Sequence, residues 1–283
     1  MADTYEDIRY EVTDRVALIT LDRPAKLNAW TPAMERSVKH AIAAAANDDG
    51  VRVIVITGAG RGFCAGADMG LLEDLSQRTP EAQELAARTR TARVALPTEL
   101  GPDVSAHYGG RFGYLMSVRK PIIAAINGPC AGIGLVFALF CDLRFASEEA
   151  KLTTAFARRG LIAEHGVSWL LPRLVGPTHA LDILLSSRLV TGAEAERLGL
   201  VNRAFRHAQL MPEAIAYARQ LADTVSPRSL GVMKAQVWKA LYQDLEQALQ
   251  TAELEMTKSF ESEDFKEGVA HYVEKRAPKF SGR

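Results

Sequence analysis

The chain has 283 residues, of which 48% are hydrophobic and 24% charged, so it is long enough to bury one large core. Its 34 basic residues balance 34 acidic ones, and a pI of about 7.0 leaves no overall field that would attract nucleic acid or an anionic membrane. We therefore expect neither partner, and any anionic ligand must be bound by local groups.

The N-terminus and the cysteines favour a cytoplasmic protein. Residues 1–10 are acidic and polar, whereas a secretory signal needs a basic start and then an apolar run. The three cysteines, Cys64, Cys130 and Cys141, are odd in number and lack the spacing of a zinc site. The longest nearly apolar stretch, residues 130–141, is too short to cross a bilayer. We predict no metal site and no tightly bound cofactor.

The first quarter of the chain contains a strand-to-helix unit. Alternating apolar residues at 8–12 and 16–21 predict a β-hairpin. A helix is expected at 31–47, because Thr31 precedes a proline and apolar residues then recur at helical spacing. Residues 53–57 read as a buried strand, and the glycine-rich run at 58–68 that follows it must be a loop.

A second unit of the same kind begins at residue 121. The strand predicted at 122–126 leads into a glycine turn at 127–134 and then an apolar helix that ends near Cys141. Between the two units, residues 71–119 read as a long variable connection that covers the ligand. It contains a helical stretch near 80–94 and a segment rich in Pro and Gly at 97–113.

The remaining residues turn mainly helical. Short strands are predicted at 143–146, 151–154 and 201–205, and a mainly helical pattern begins at Val167. Thr191-Gly-Ala-Glu194 forms a capping box. Beyond Met211 we predict three helical segments, with breaks near residues 226 and 262. We divide the chain into a core at residues 1–205, which holds the site, and a C-terminal helical region at 206–283.

Two strand-to-helix turns rich in Gly and Ala suggest a site at which backbone amides bind a ligand oxygen. Small residues let backbone amides approach a ligand oxygen closely. If each turn aims one amide at the same carbonyl oxygen, the negative charge that grows there is stabilised, and losing one such donor typically costs about 3 kcal/mol. The alternative interpretation is tight strand-to-helix packing alone.

At this level of detail the chain resembles the crotonase superfamily, the enoyl-CoA hydratase and isomerase family. The matching motifs run through nearly the whole chain in order: LDRPAKLNA (21–29), TGAG (57–60), FCAGAD (63–68), KPIIAAING (120–128), CD (141–142) and VEKR (273–276). The resemblance implies an α/β fold, a spiral of ββα repeats with a C-terminal helical trimerisation region, which forms homotrimers or dimers of trimers.

The resemblance also implies roles for single residues. The substrate would be an acyl-CoA thioester, with coenzyme A as part of the substrate. The oxyanion amides fall on Ala67 and on Ile133, a position where the family often has glycine. The remaining positions implied to contact coenzyme A are Lys26, Ala29, Ala65, Gly66 and Asp68 on the nucleotide and pantetheine path, and Tyr272 and Lys275, which reach a neighbouring subunit's ligand.

A departure from the family pattern bears on the reaction. The two glutamates with which family hydratases activate water fall on Val136 and Phe156, neither of which accepts a proton. The acid that remains is Glu164, in GLIAEHG (160–166), which matches the carboxylate of 3-enoyl to 2-enoyl-CoA isomerases. Val136, Phe156 and Ile162 are expected to line an apolar pocket that leaves this carboxylate a stronger base.

These residues favour an enoyl-CoA isomerase with Glu164 as base. A hydratase using Glu164 alone, thioester hydrolysis or dehalogenation, and a coenzyme A-binding or RNA-associated member without turnover stay open. Glu164 could instead complement the dipole of the next helix. His165 could hydrogen-bond the substrate or Glu164, although a lone histidine is more often structural.

Other motifs are weaker. Gly58-Ala-Gly60 is not followed by the third glycine and helix of a dinucleotide site. A Glu164-His165-Ser168 triad is implausible, since such groups meet through the fold. Paired arginines at 158 and 159 are usually a solvated face, and Cys64 is better read as a buried small hydrophobe than as a nucleophile.

Overall fold

The computed structural model describes residues 5–77, 79 and 110–283, and it confirms the α/β class with a helical C-terminal region. The helix expected near 80–94 and most of the Pro- and Gly-rich segment at 97–113 lie outside the described residues. The division into a core and a helical region at residue 205 stays a prediction, as does trimerisation.

Six strands of the described chain form the main sheet, in the order β1-β2-β3-β4-β6-β9. Their bounds are Ile8–Thr13 (β1), Val16–Leu21 (β2), Val53–Gly58 (β3), Ile122–Ile126 (β4), Leu143–Ser147 (β6) and Arg203–Phe205 (β9). β1 and β2 form the predicted antiparallel hairpin, while β2, β3, β4, β6 and β9 pair in parallel. The predicted strand at 201–205 starts two residues late, because the amide of Val201 donates to the carbonyl of Ala195 instead.

A second, smaller sheet lies beside the second glycine turn. It consists of Cys130–Ala131 (β5), Lys151–Thr153 (β7) and Val190–Thr191 (β8), in the order β5-β7-β8. β5 pairs with β7 in parallel, and β7 with β8 antiparallel. This sheet fixes the glycine turn, since the amide of Gly132 donates to the carbonyl of Thr153 over 3.0 Å.

The α-helices are Pro32–Asn47 (α1), Met69–Ser76 (α2), Tyr114–Ser117 (α3), Ile133–Leu139 (α4), Val167–Ser186 (α5), Gly192–Arg197 (α6), His207–Thr224 (α7), Pro227–Ala240 (α8), Leu245–Glu261 (α9) and Glu263–Glu274 (α10). In the part of the chain that the structure describes, no helix combines the length and apolar character that crossing a membrane would require.

The C-terminal region contains one more helix than the sequence analysis predicted. Beyond residue 206 the structure has four helices, because the chain breaks between Ala240 and Leu245. Asp244 begins α9 with a complete capping box: its side chain accepts from the amide of Gln247, whose side chain accepts from the amide of Asp244. Because the Asp-x-x-Gln pattern of this capping box is present in the sequence, the helix break before Asp244 could have been predicted.

The two faces of the main sheet carry separate cores. Along β3, Ile54 and Ile56 face the large cluster that α1, α4 and α5 share, while Val53 and Val55 face a smaller cluster. Helix α7 covers the smaller cluster with Leu210 and three buried alanines, at 214, 218 and 222. The glycine turns emerge at the carboxyl ends of β3 and β4, where ligands bind in open parallel sheets.

Candidate active site

The two glycine-containing loops lie side by side. Cys64 and Cys130 form a parallel bridge, in which the amide of Cys64 donates to Pro129 over 3.1 Å and that of Ala131 donates to Cys64 over 2.9 Å. Ala67 and Ile133 each lie three residues beyond these cysteines. The structure therefore brings the two predicted oxyanion residues to the same register of neighbouring segments.

Glycine is required where the loops touch. A Cβ on Gly128 would overlap the carbonyl oxygen of Arg61, and a Cβ on Gly134 would lie 2.6 Å from the Cβ of Cys64. Because both clashes involve backbone or a fully buried side chain, no small movement relieves them. The close approach of the loops thus depends on these two glycines.

Two buried asparagines hold the first loop in shape. The side-chain amide of Asn28 donates to Ala59 over 3.0 Å and to Gly62 over 2.8 Å. Asn127 donates to the carbonyls of Gly58 and Gly60, both over 2.9 Å. A loop without regular structure thereby has its buried carbonyls satisfied by side chains, which keeps its backbone in one conformation.

The amides of Ala67 and Ile133 take no part in this bracing. Trp30 forms hydrogen bonds with the residues on either side of Ala67. Its amide donates to the carbonyl of Gly66, and its carbonyl accepts from the amide of Asp68. Ile133 is the first residue of α4, where an amide has no partner within the helix. Among the described residues neither amide donates a hydrogen bond, so both can bind an oxygen that gains negative charge.

Four of the residues predicted on the coenzyme A path lie together. Residues 27–30 run alongside 65–68, with the amide of Ala65 donating to the carbonyl of Leu27 over 3.0 Å. This pairing brings Ala29 next to Ala65, Gly66 and Asp68. Lys26 precedes them in an exposed single-turn helix, Pro24–Lys26.

The carboxylate of Asp68 is already engaged. Arg23 donates from Nη1 to Oδ2 of Asp68 over 2.9 Å, and this hydrogen bond is the main reason that the pKa of Asp68 lies below its ordinary value. The same Nη1 donates to the carbonyl of Ala29 over 2.7 Å. Asp68 therefore fixes the two segments to each other and presents no isolated negative charge to an anionic ligand.

Tyr272 and Lys275 lie apart from these loops. Tyr272 is 80% exposed in the last turn of α10, and Lys275 ends that helix in a left-handed conformation with φ 53°. Their surface position agrees with contact to a second subunit.

Glu164 and His165 stand just before α5. His165 and Gly166 are both left-handed, with φ 55° and 84°, and this reversal turns the two side chains toward each other. Nε2 of His165 lies 3.6 Å from Oε2 of Glu164, beyond ordinary hydrogen-bond length. The side chain of Glu164 is 30% exposed and that of His165 is 19% exposed, so Glu164 is partly buried but accessible to a ligand.

The surroundings of Glu164 are only partly as predicted. Val136 and Phe156, onto which the resemblance places the two glutamates of hydratases, are buried, with 1% and 6% exposure. The expectation that Ile162 lines the same pocket was wrong, since Ile162 is 78% exposed. Gly160, left-handed with φ 67°, ends the preceding short turn at residues 157–159, and the chain from there to Ile162 lies at the surface.

An aromatic cluster connects Glu164 and His165 to the oxyanion loops. The backbone of Trp30 forms a parallel bridge with Ala67, and the centre of its ring lies 4.9 Å from that of Phe137 in α4. Phe112 lies 5.4 Å from Phe137 and 6.2 Å from His165, with the imidazole edge-on. Phe112 had no periodic pattern around it, and sequence reasoning did not find it.

A charged pair beside this cluster was also missed. Arg111 donates from Nε to Oε2 of Glu35 over 2.7 Å, and its Nη1 lies 3.5 Å from Nε2 of His165. The sequence analysis did not single out Glu35, and Arg111 fell within the Pro- and Gly-rich segment at 97–113. The contacts span 76 and 54 residues, so no local signal relates the three side chains.

The weaker candidates remain weak. Cys64 is fully buried, and burial raises the pKa of its thiol to about 12, so the thiolate is scarce at neutral pH. Arg158 is exposed and donates to the carbonyl of Ser186. After Gly58-Ala-Gly60 the next described helix begins only at Met69, so no helix N-terminus meets this loop.

Comparison with known proteins agrees with this architecture. The model of the enoyl-CoA hydratase/isomerase family matches residues 11–98 and 102–283. The chain belongs to the enoyl-CoA hydratase/isomerase family. A solved enoyl-CoA hydratase subunit of Geobacillus kaustophilus superposes with a TM-score of 0.83 at 33% identity, covering 99% of both chains. The resemblance to the crotonase fold is thereby confirmed.

Relatives within the enoyl-CoA hydratase/isomerase family have more than one named activity. A probable enoyl-CoA hydratase of Mycobacterium tuberculosis is 36% identical over 269 residues, covering 94% of this chain and 89% of the relative. The 1,2-epoxyphenylacetyl-CoA isomerase of Escherichia coli K12 is 31% identical over 278 residues, covering 98% and 99%. Membership of the family therefore leaves the reaction to be argued from the side chains.

Proposed function

We propose that the protein is an enoyl-CoA isomerase, which converts a 3-enoyl-CoA into a 2-enoyl-CoA with Glu164 as the only carboxylate base. The observation that carries this proposal is the burial of two apolar side chains, Val136 and Phe156, at the positions where a hydratase needs its glutamates. Water cannot be held between two carboxylates there, whereas moving a double bond needs one base and one oxyanion site.

The proposed reaction uses the two amides and the one carboxylate. The thioester carbonyl of the substrate accepts hydrogen bonds from the amides of Ala67 and Ile133, and Glu164 removes a proton from C2. The electrons of that C–H bond form the enolate, whose negative charge rests on the oxygen between the two amides. Glu164 then returns the proton to C4, and the double bond ends between C2 and C3. No proton or electron is gained or lost overall.

The rest of the ligand follows the predicted path. We propose that coenzyme A, as part of the substrate, lies along Ala29, Ala65, Gly66 and Asp68, with the exposed ammonium group of Lys26 near its phosphates. Exposed apolar side chains on α8, α9 and α10 support assembly into a homotrimer or a dimer of trimers. In that assembly Tyr272 and Lys275 would contact the ligand of a neighbouring subunit. The cytoplasmic location also stays a prediction.

A hydratase is the second candidate. The names of several relatives favour it, among them the M. tuberculosis protein. Glu164 alone would then have to activate the water and also provide the proton that C2 receives. A coenzyme A-binding protein without turnover is the third candidate.

A paired assay tests the proposal. The wild type and Glu164→Gln are given a 3-enoyl-CoA and a 2-enoyl-CoA, and double-bond shift and water addition are followed together. Glu213→Gln, on the exposed face of α7, is the matched control. We expect shift activity in the wild type and the control, and a loss of about 10²-fold or more in Glu164→Gln, as is typical when a general base is removed.

Each other outcome rejects either the isomerase or the role of Glu164 as its base. Water addition without any shift would establish the hydratase. Tight binding of coenzyme A without turnover of either substrate would favour the third candidate. Shift activity that survives in Glu164→Gln would show that another group is the base.

A further inference from the structure

Arg111 is held by two of its nitrogens. Its Nε lies 2.7 Å and its Nη2 2.5 Å from Oε2 of Glu35, so the carboxylate grips one edge of the planar guanidinium. Its Cζ lies 5.9 Å from the centre of the Phe112 ring. Two of the three nitrogens are thereby fixed, and the third, Nη1, has a defined direction.

Glu35 is itself anchored from two more sides. Lys39, one turn along α1, donates to Oε1 over 3.0 Å, and the indole of Trp30 donates to Oε2 over 3.2 Å. Burial raises the pKa of Glu35, but Arg111 and Lys39 outweigh burial and hold it below its ordinary value. Glu35 is therefore ionised at neutral pH and keeps Arg111 in place.

The fixed nitrogen Nη1 of Arg111 faces the histidine beside the proposed base. Nε2 of His165 lies 3.5 Å from Nη1 of Arg111 and 3.6 Å from Oε2 of Glu164. A guanidinium only donates and keeps its charge, while an ionised carboxylate only accepts. Nε2 of His165 thus faces a permanent donor, Arg111, and an acceptor, Glu164. If Nε2 carries a proton it can donate to Glu164, and if it carries none it can accept from Arg111.

We propose that Arg111 is a positioning residue: held by Glu35, it keeps His165 neutral, with the proton on Nδ1 and an unprotonated Nε2 facing Glu164. A protonated ring would place a second positive charge against Arg111, and a proton on Nε2 would point a donor at a donor. Nδ1–H is the form that avoids both.

The catalytic consequence rests on the proposed role of Glu164 as base. An imidazolium beside Glu164 would stabilise the ionised carboxylate and weaken it as a base. A neutral ring whose Nε2 lone pair faces Arg111 adds no positive charge beside Glu164, so this carboxylate stays a stronger base than it would be next to an imidazolium. Arg111 and Glu35 thereby adjust the base without contacting the substrate.

The state of His165 can be read directly by ¹⁵N NMR of protein labelled at its histidines. The six histidines make few signals, and the signal missing from His165→Gln assigns residue 165. In the wild type we expect Nε2 to show the shift of an unprotonated ring nitrogen and Nδ1 that of a protonated one. In Arg111→Met we expect the proton on Nε2 or on both nitrogens.

The kinetic test uses the same variants. In Arg111→Met we expect kcat for the double-bond shift to fall about 10-fold with KM nearly unchanged, a smaller loss than removing the base itself would cause. Glu35→Gln should act in the same direction and less strongly. Arg111→Lys, which keeps a charged donor, should restore the tautomer and part of kcat, and it serves if Arg111→Met fails to fold.

Two controls separate positioning from general damage. Arg188→Met breaks an arginine ion pair of similar exposure, 33% against 31% for Arg111, and should leave kcat and the histidine signals unchanged. In a His165→Gln background, Arg111→Met should cost little further activity, because Arg111 acts through His165.

The outcomes distinguish this inference from the proposed function. A wild type in which Nε2 carries the proton overturns the inference, whichever reaction the enzyme catalyses. Undiminished kcat in Arg111→Met, or full additivity with His165→Gln, also overturns it. If the wild type shifts no double bond but shows the expected tautomer that changes in Arg111→Met, the isomerase fails and the positioning role stands.

Discussion

The oxyanion loops and the helices after Thr224 differ in what stabilises them. In the loops, backbone meets backbone: glycines allow the approach, and the side chains of Asn28 and Asn127 satisfy the buried carbonyls. In α9, by contrast, no side chain is buried, and large apolar side chains of α8, α9 and α10 are more than half exposed, among them Val237, Leu245 and Val273.

The outer helices are held by a few polar contacts. Lys234 of α8 pairs with Asp142 over 2.6 Å, and Trp238 donates to the same carboxylate. Asp264, at the start of α10, accepts from Ser226 over 2.6 Å and from the amides of Ser281 and Gly282. The loops are complete within one chain, whereas the outer helices leave apolar surface for another molecule to bury.

The sharpest test of the first region is Gly128→Ala. Its Cβ would overlap the carbonyl of Arg61, so we expect the free energy of unfolding to fall by about 4 kcal/mol, near the upper end for one substitution. Gly160→Ala is the control: it is left-handed at φ 67° with nothing within 4 Å, and should cost about 1 kcal/mol. Urea unfolding at one protein concentration measures both. Equal losses would contradict the backbone-contact argument.

Removing the ion pair between core and outer helices should have the next largest effect. The side chains of Lys234 and Asp142 are 7% and 15% exposed, so Lys234→Met leaves a buried carboxylate short of its partner and should cost about 3 kcal/mol in urea unfolding. Lys258→Met, which breaks an exposed pair with Glu255, should cost less than about 1 kcal/mol. If both variants lose the same stability, the outer helices are held by other contacts.

A charge on the outer apolar surface should affect assembly and leave the fold intact. Leu249→Asp, at a half-exposed position of α9, should weaken association of subunits by about 10- to 100-fold, because a buried unpaired polar group costs about 1–3 kcal/mol. Light scattering across a dilution series measures it. Val12→Asp, an exposed apolar residue of β1, is the control. A wild type that is monomeric throughout would refute the proposed assembly.

The smallest expected effect concerns pH and the end of the chain. Hydrogen bonds from Arg276 lower the pKa of Glu267 from 4.5 to about 2. Because the folded pKa is depressed, this contribution is complete above pH 4.5 and is lost as the pH falls toward 2. Wild type should therefore be more stable than Glu267→Gln above pH 4.5, and the gap should close by about pH 2. Urea midpoints across this range measure it, with Glu263→Gln as the exposed control; a constant gap would contradict the assignment.

The sequence predicted those parts whose signal is local. The hairpin, α1, β3, β4 and the two glycine turns follow from periodicity, caps and small residues. The break before Asp244 was also local and was overlooked. The roles of Ala67, Ile133 and Glu164 stay predictions until they are measured.

The parts that escaped prediction depend on distant residues. Arg111 lies in a loop without pattern, and only folding brings it to Glu35 and His165. Ile162 was expected inside because it is apolar, yet the left-handed Gly160 precedes it and the chain there runs over the surface. Hydrophobicity indicates that a residue can be buried, while the path of the chain decides whether it is.

The unpaired amides of Ala67 and Ile133 have a consequence for solvent exchange. Their neighbours Asp68 and Gly132 donate to backbone carbonyls, so those amides should exchange with deuterium only when the loops open. Within the described chain Ala67 and Ile133 donate no hydrogen bond, and each should exchange faster than the residue beside it. A bound oxyanion would slow these two amides together, so their exchange rates report occupancy of the site even when no product is formed.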